Sequence, residues 1–164
     1  MTKILLLSDT HSCIENSILK YVNWADEVWH AGDIGDLIVT DTIKKLKPLK
    51  AVFGNIDDDK ARMEFPLHNK FLCEKVSVWI THIGGYPGKY NSNIVTELQS
   101  SPPNLFICGH SHILKVIYDK KLNFLHMNPG AAGKSGFHQV RTMLRFVVDG
   151  EKITNLEIVE LEKK

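Results

Sequence analysis

The sequence predicts an α/β fold in which two mixed β-sheets pack face to face with helices on the outside. Three observations lead there. The first half alternates short apolar runs with stretches of helical periodicity, the second half reads mainly as strands and hairpins, and five apolar runs end in loops carrying metal-type side chains. With 164 residues and 43% hydrophobic content, the chain suits a single domain, residues 1–164, whose core needs no disulfide staples.

Lys3–Ser8 reads as the first strand. Ser12 and Glu15 then have capping-box spacing, and Ile14, Ile18 and Val22 recur every four residues, which predicts a helix with one apolar face. A strand around Glu27–His30, a helix around Val39–Leu46 stopped by Pro48, and a strand around Lys50–Phe53 complete a βαβαβ pattern. That pattern marks a parallel sheet with helical crossovers. Beyond Gly54 the character changes. Leu72–Glu74 and Val76–Thr81 are strand-like, Ile83–Asn91 is a Gly- and Pro-containing loop long enough to cover a site, Ser92–Gln99 is helical, and Leu105–Cys108 is another short apolar strand. Lys115–Tyr118 and Asn123–His126 then flank a turn at Asp119–Lys121, and Thr142–Val148 pairs with Lys152–Val159 across Asp149-Gly150, a dipeptide that favours tight hairpins. The charged end Glu160–Lys164 reads as frayed and solvated.

Composition narrows the function classes. A net charge of +1 with 24% charged residues supplies no basic field for nucleic acid or a membrane surface. The three cysteines, Cys13, Cys73 and Cys108, are odd in number and form no Cys-x-x-Cys pair, so reduced thiols are expected rather than a disulfide framework or zinc knuckle. The apolar run Ile4–Leu7 is too short for a signal sequence, and a cytoplasmic protein with no membrane span is expected.

Seven side chains carry the chemistry. Asp9 and His11 follow the run Ile4–Leu7, Asp33 follows Val28-Trp29, Asn55 follows Ala51–Phe53, His82 follows Val76–Ile80, and His110 and His112 follow Leu105–Cys108. Asp and Asn are common turn residues and His is often half-buried, so one such residue alone says little. Five sets at successive strand ends say more, because loops beyond the carboxyl ends of strands converge on one edge of a layered α/β fold. Asp9-x-His11 and His110-x-His112 each offer two side chains at i and i+2, and the Asp33 carboxylate has two oxygens with which to bridge two cations. Imidazole and oxygen donors without thiolate suit Mn, Fe, Co, Ni or Zn, with manganese the first expectation. A pair of such ions activates water against a phosphoester.

Asp9-x-His11, Gly32-Asp33, Gly54-Asn55, His82 and Gly109-His110-x-His112, in that order, resemble the calcineurin-like metallophosphoesterases, and the short spacings look most like their YfcE-type phosphodiesterase branch. The resemblance covers nearly the whole chain. It implies a four-layer α/β/β/α sandwich with a dinuclear site, one metal held by Asp9, His11, Asp33 and His112 and the other by Asp33, Asn55, His82 and His110. It also implies a metal-dependent hydrolase of small phosphodiesters, in which a hydroxide bridging the two metals attacks phosphorus while Asp33 and Asn55 serve catalysis and Asn55 binds phosphoryl oxygen.

Two departures matter. Many relatives have a histidine after Gly-Asn that helps protonate the leaving oxygen, whereas this chain has Ile56, leaving Asp57 and His138 as candidate proton donors. Ile83-Gly84-Gly85 also replaces the Gly-His type of sequence usual after the His82 position. Around the site, Arg141 in the basic stretch from Lys134 could fork a substrate phosphate, the Gly84–Gly88 loop with Tyr86 and Tyr90 could form a lid, and Asn128-Pro129-Gly130 resembles a loop near the site in this family. His30 and His126 read as packed or supporting histidines. The rival function is a scaffold that keeps this fold and works through a protein-binding surface, as the related retromer subunit does; a phosphomonoesterase or nuclease at the same site ranks below a diesterase for want of extra positive charge. A homo-oligomer is compatible with the sequence.

Overall fold

The computed structural model describes residues 1–163. Its strands form two five-stranded mixed sheets. In the first, β1 (Thr2–Leu7), β2 (Glu27–His30) and β3 (Leu49–Ala51) run parallel, and β11 (Arg141–Asp149) and β12 (Lys152–Leu161) extend the edge in the order β12-β11-β1-β2-β3. In the second, β5 (Val76–Thr81), β8 (Leu105–Ile107) and β10 (Phe124–Pro129) run parallel, with β4 (His68–Cys73) and β9 (Leu114–Asp119) antiparallel at the two edges, in the order β4-β5-β8-β10-β9.

The pleat sorts side chains into layers. Along β1, Ile4 and Leu6 point to one face and Leu5 and Leu7 to the other, because successive strand residues alternate. Ile4 and Leu6 join Trp29, Phe146, Val78, Ile80, Ile107 and Met127 in the core between the sheets. Leu5 and Leu7 instead meet Ile18 and Val22 of α1 (Asn16–Trp24) and Val39 and Ile43 of α2 (Ile38–Leu46). On the far side, Trp79 and Phe106 pack with Leu98 of α4 (Val95–Ser100). Helix, sheet, sheet and helix therefore stack in four layers, as expected. Both faces of the parallel strands are covered, which is why those strands read as continuous apolar runs.

Several local expectations are corrected. There is no capping box at α1: Glu15 is the N-cap residue without a side-chain cap bond, Glu15 pairs with Arg141, and Ser12 Oγ accepts from Asp36 N at 2.8 Å. Strand β3 ends at Ala51 rather than Phe53, and β4 begins at His68, well before the expected Leu72. An unforeseen helix α3 (Asp59–Glu64) follows Asn55, capped by the Asp58 carboxylate accepting from Ala61 N. The tip of the last hairpin is Gly150-Glu151, since Asp149 still pairs with Lys152. Asn128-Pro129, read as part of a loop, lies at the end of β10. The terminus is not frayed: Glu160 and Leu161 lie in β12, and the Glu162 carbonyl and the Lys163 ammonium are hydrogen-bonded, while Lys164 lies outside the described residues. Among the described residues no helix is long and apolar enough to cross a membrane.

Trp29 and Phe146 meet edge to face at 5.7 Å in the core between the sheets. Removing the Phe146 ring there leaves a cavity that rigid sheets cannot close, so Phe146→Ala is expected to lose about 3–5 kcal/mol of stability, measured by urea unfolding.

Candidate metal centre

The parallel strands of each sheet end at one edge, and every metal-type residue sits just past such an end: Asp9 and His11 after β1, Asp33 after β2, Asn55 after β3, His82 after β5, His110 and His112 after β8. Face-to-face packing brings these loops together in two groups. Asp9, His11 and His112 form one, Asp33, His82 and His110 the other, and within each group the donor atoms lie within 4.8 Å of one another. Asn55 joins the second group through its Oδ1, 3.0 Å from His110 Nδ1. The carboxylates link the groups, since Asp33 lies 3.2 Å from His82 Nε2 and 3.5 Å from His11 Nε2, while Asp9 lies 3.2 Å from His112 Nε2 and 3.8 Å from His82 Nε2.

The atoms at the middle of this cluster are buried and unpaired. Asp9 Oδ1, His11 Nε2 and His82 Nε2 have no hydrogen-bond partner among the described residues. Each such group costs about 1–3 kcal/mol in a folded protein unless something satisfies it, and a cation coordinated by these atoms would do so. The tautomers suit that use. His82 Nδ1 donates to the Ala31 carbonyl at 2.7 Å, leaving the Nε2 lone pair inward. His138 Nε2 donates to the Gly133 carbonyl at 2.8 Å, so its Nδ1 accepts from His112 Nδ1 at 3.1 Å and the His112 Nε2 lone pair faces Asp9. Imidazoles and carboxylates without thiolate fit a divalent transition metal. Charge complementarity is already strong: burial opposes ionisation of Asp33, yet the His11 and His82 imidazoles beside it hold its carboxyl well below the usual carboxylate range. The Asp33 carboxylate in turn raises His11, and although burial opposes charge on His82, the Asp33 and Asp9 carboxylates raise it too.

The backbone is strained where the ligands sit. Asp9, His11, Asp33, His110 and His112 adopt φ of 54°, 44°, 54°, 72° and 63°, left-handed conformations uncommon outside glycine and concentrated at functional sites. Neighbours hold these turns. Asp57 accepts from Ile34 N, Gly35 N and Gly54 N, tying the Asp33 loop to the Asn55 loop. His30 accepts from Gly32 N and meets Thr10 Oγ1 at 2.9 Å; burial pushes it down to about 4, so it is a neutral brace rather than a ligand. Asn128 Nδ2 donates to the Gly109 carbonyl and Ser111 Oγ, bracing the His110 loop. Ser8 Oγ and His110 N both donate to Asp9 Oδ2, joining the two sheets at the site. Two glycines permit the close packing, since a Cβ on Gly54 would lie 2.1 Å from Asp33 Oδ1 and one on Gly109 2.1 Å from Ser8 Oγ.

Other expectations meet mixed outcomes. Asp57, buried and accepting three backbone N–H groups, and His138, engaged at both nitrogens, are positioning groups and not free proton donors. Arg141 does not reach the centre: it is buried, with its guanidinium on Glu15, the Ala132 and Glu162 carbonyls and Cys13 Sγ, which corrects the expected phosphate fork. His126 stacks on Phe106 under the second sheet, away from both groups. The Ile83–Asn91 loop folds into a small hairpin, β6 (Gly85–Tyr86) with β7 (Lys89–Tyr90), and the Tyr90 hydroxyl donates to Asp119. Burial lifts the thiols of Cys73 to about 11 and of Cys108 to about 12, and all three cysteines are free. The ties made by Ser8, Asp57 and Arg62, whose Nε donates to the Asp57 carbonyl, carry no periodic or spacing signal that would have marked them in the sequence.

Comparison with known proteins places the chain in a family. A family model described as the calcineurin-like phosphoesterase superfamily domain matches residues 2–151, and the chain belongs to that superfamily. Among solved structures, a zinc complex of Vps29 from Entamoeba histolytica is similar at 13% identity, with 99% of each chain covered and a TM-score of 0.76. A Thermotoga maritima protein aligns at 22% identity over 98% of this chain and 100% of that one, with a TM-score of 0.74. A structure described as a novel archaeal phosphodiesterase aligns at 19% identity over 97% of this chain and 99% of that one, with a TM-score of 0.73. These likenesses show a shared fold. A comparison with curated proteins found no match.

Two outcomes follow from the contacts. Gly54→Ala pushes a methyl into Asp33, so divalent-metal affinity measured by calorimetry is expected to fall at least about tenfold, a change of about 1.4 kcal/mol. Arg141→Met breaks the pair with Glu15, whose carboxyl the Arg141 guanidinium holds below its ordinary value. That pair adds stability above the ordinary carboxylate range and loses it as pH falls through the lowered value, so the variant's deficit, about 2 kcal/mol at pH 7 after discounting for Glu15's exposure, should shrink in acid while metal affinity is unchanged.

Proposed function

From that membership we propose that the protein is a metal-dependent phosphodiesterase acting on a small phosphodiester. The observation that carries the reading is the pair of donor groups with buried, unpaired atoms turned toward one another. In this reading Asp9, His11, Asp33 and His112 would hold one divalent ion, and Asp33, Asn55, His82 and His110 the other. Two such ions, manganese first and iron, cobalt, nickel or zinc as alternatives, would supply activation of a water molecule and charge neutralisation at phosphoryl oxygens.

The chain's own residues do the rest. Asp33 stands between both groups and sets their separation. Asn55 keeps Oδ1 against His110 and has its amide nitrogen for a phosphoryl oxygen. With Ile56 where a proton-donating histidine stands in many relatives, and with Asp57 and His138 engaged, the favoured leaving groups are those that depart without a proton, aryl esters before alkyl ones. The similarity to an archaeal phosphodiesterase supports this reading, and the similarity to Vps29 keeps a second one in view, a metal-binding scaffold that works through its surface.

Metal content of protein purified without chelator, followed by hydrolysis of an aryl phosphodiester and the matching monoester with Mn, Ni, Co, Zn and Mg, separates the two. About two ions per chain with diester turnover is the expected result; metal binding without turnover under every metal would favour the scaffold. Asp33→Asn is expected to abolish turnover and weaken both ions, and normal activity and metal content in that variant would refute the assignment.

A further inference from the structure

We propose that a cleft beside the second donor group binds an aromatic ring carried on the substrate's ester group, which makes aryl or nucleoside phosphodiesters the substrate class. The inference rests on the phosphodiesterase reading and adds to it a ligand subsite. The cleft, about 270 Å³, opens onto Asn55 and His82, so anything seated there adjoins the proposed metal position. That volume falls just below the roughly 300–1,000 Å³ of pockets for drug-sized ligands, room for about one ring system.

Its walls are apolar where the centre is polar. Phe53, Leu67, Ile83 and Ile94 line it, and Leu67 and Ile83 are 52% and 41% exposed. Large aliphatic side chains left open to water at the rim of a charged centre gain most by covering an apolar part of a ligand. The guanidinium of Arg62 lies 4.7 Å over the Phe53 ring and is locked by donating Nε to the Asp57 carbonyl and Nη2 to the Asn55 carbonyl. No hydrogen bond among the described residues uses its Nη1, so a fixed planar cation with a spare donor borders the cleft. Such a surface favours aromatic rings and anionic oxygens over alkyl chains. Hydrogen-bond donors also reach the cleft. Trp79 Nε1 donates to His68 Nδ1, which leaves the proton of neutral His68 on Nε2, and Asn91 Oδ1 accepts from Asn93 N, which leaves the Asn91 amide group to donate. Ile56 in place of a histidine favours an aryl oxygen as the one that leaves, because it departs without a proton donor; a nucleoside, whose ester oxygen is alkyl, would then sit in the cleft as the ester group that is retained.

The test is calorimetric titration and methyl NMR of the zinc-loaded and the metal-free protein with phenylphosphonate, methylphosphonate and uridine 5′-monophosphate. The expected result is that at least one ring-bearing ligand binds about tenfold more tightly than methylphosphonate and moves the methyl resonances of Leu67, Ile83 and Ile94. The tighter of the two identifies an aryl ester or a nucleotide as the source of the ring. Leu67→Trp, which fills the cleft, and Ile83→Asp, which makes its wall polar, should each reduce that advantage to near onefold, with metal content of each variant reporting an intact centre. Equal affinity for all three ligands, resonance changes elsewhere, or an advantage that survives both substitutions would overturn the proposal. Failure of the phosphodiesterase reading looks different, as metal-free protein or absent diester turnover, and the binding readout needs neither.

Discussion

Ile4, Leu6, Trp29 and Phe146 of one sheet share a buried core with Val78, Ile80, Ile107 and Met127 of the other, and this contact sets the register on which the centre depends. Asp9, His11, Asp33 and Asn55 come from the first sheet, and His82, His110 and His112 from the second. Neither sheet holds a complete donor group. The seam is then locked by polar ties from one sheet to the other, His82 Nδ1 on the Ala31 carbonyl and His110 N on the Asp9 carboxylate. A slip of one residue in any strand would exchange its inward and outward side chains and separate these partners.

Stability is surrendered at the centre in two ways. Five candidate ligands occupy left-handed backbone conformations, and three inward atoms lack hydrogen-bond partners among the described residues. Both features persist because the surrounding turns are over-determined by Asp57, His30, Asn128 and two glycines too close to their neighbours to carry a side chain. The result is a donor set already gathered before any cation is present, an arrangement that lowers the ordering cost of binding one.

Asp57 and His138 spend their hydrogen-bonding capacity on the backbone and on His112, so they hold the loops of the candidate centre and keep no free donor of their own. Arg62 repeats the pattern: its ties to the Asp57 and Asn55 carbonyls fix a cation against Phe53 beside the centre.

The sequence by itself determined the layered α/β architecture and marked the candidate ligands, because both rest on local signals: strand alternation, and polar residues recurring at the ends of apolar runs. Asp9, His11, Asp33, His82, His110 and His112 were all legible in that way, and Asn55 with them. Tertiary structure decided what those signals do not encode. Arg141 sits in a basic stretch that suggests phosphate, yet it is buried on Glu15, a residue distant in sequence whose own spacing suggested a helix cap. Asp57, adjacent to the vacant proton-donor position, became a backbone tie because three N–H groups from two loops converge on it. Helix α3 escaped notice because six residues are too few to show a period. Partners distant along the chain are chosen by packing, and only the folded sheets bring them within reach.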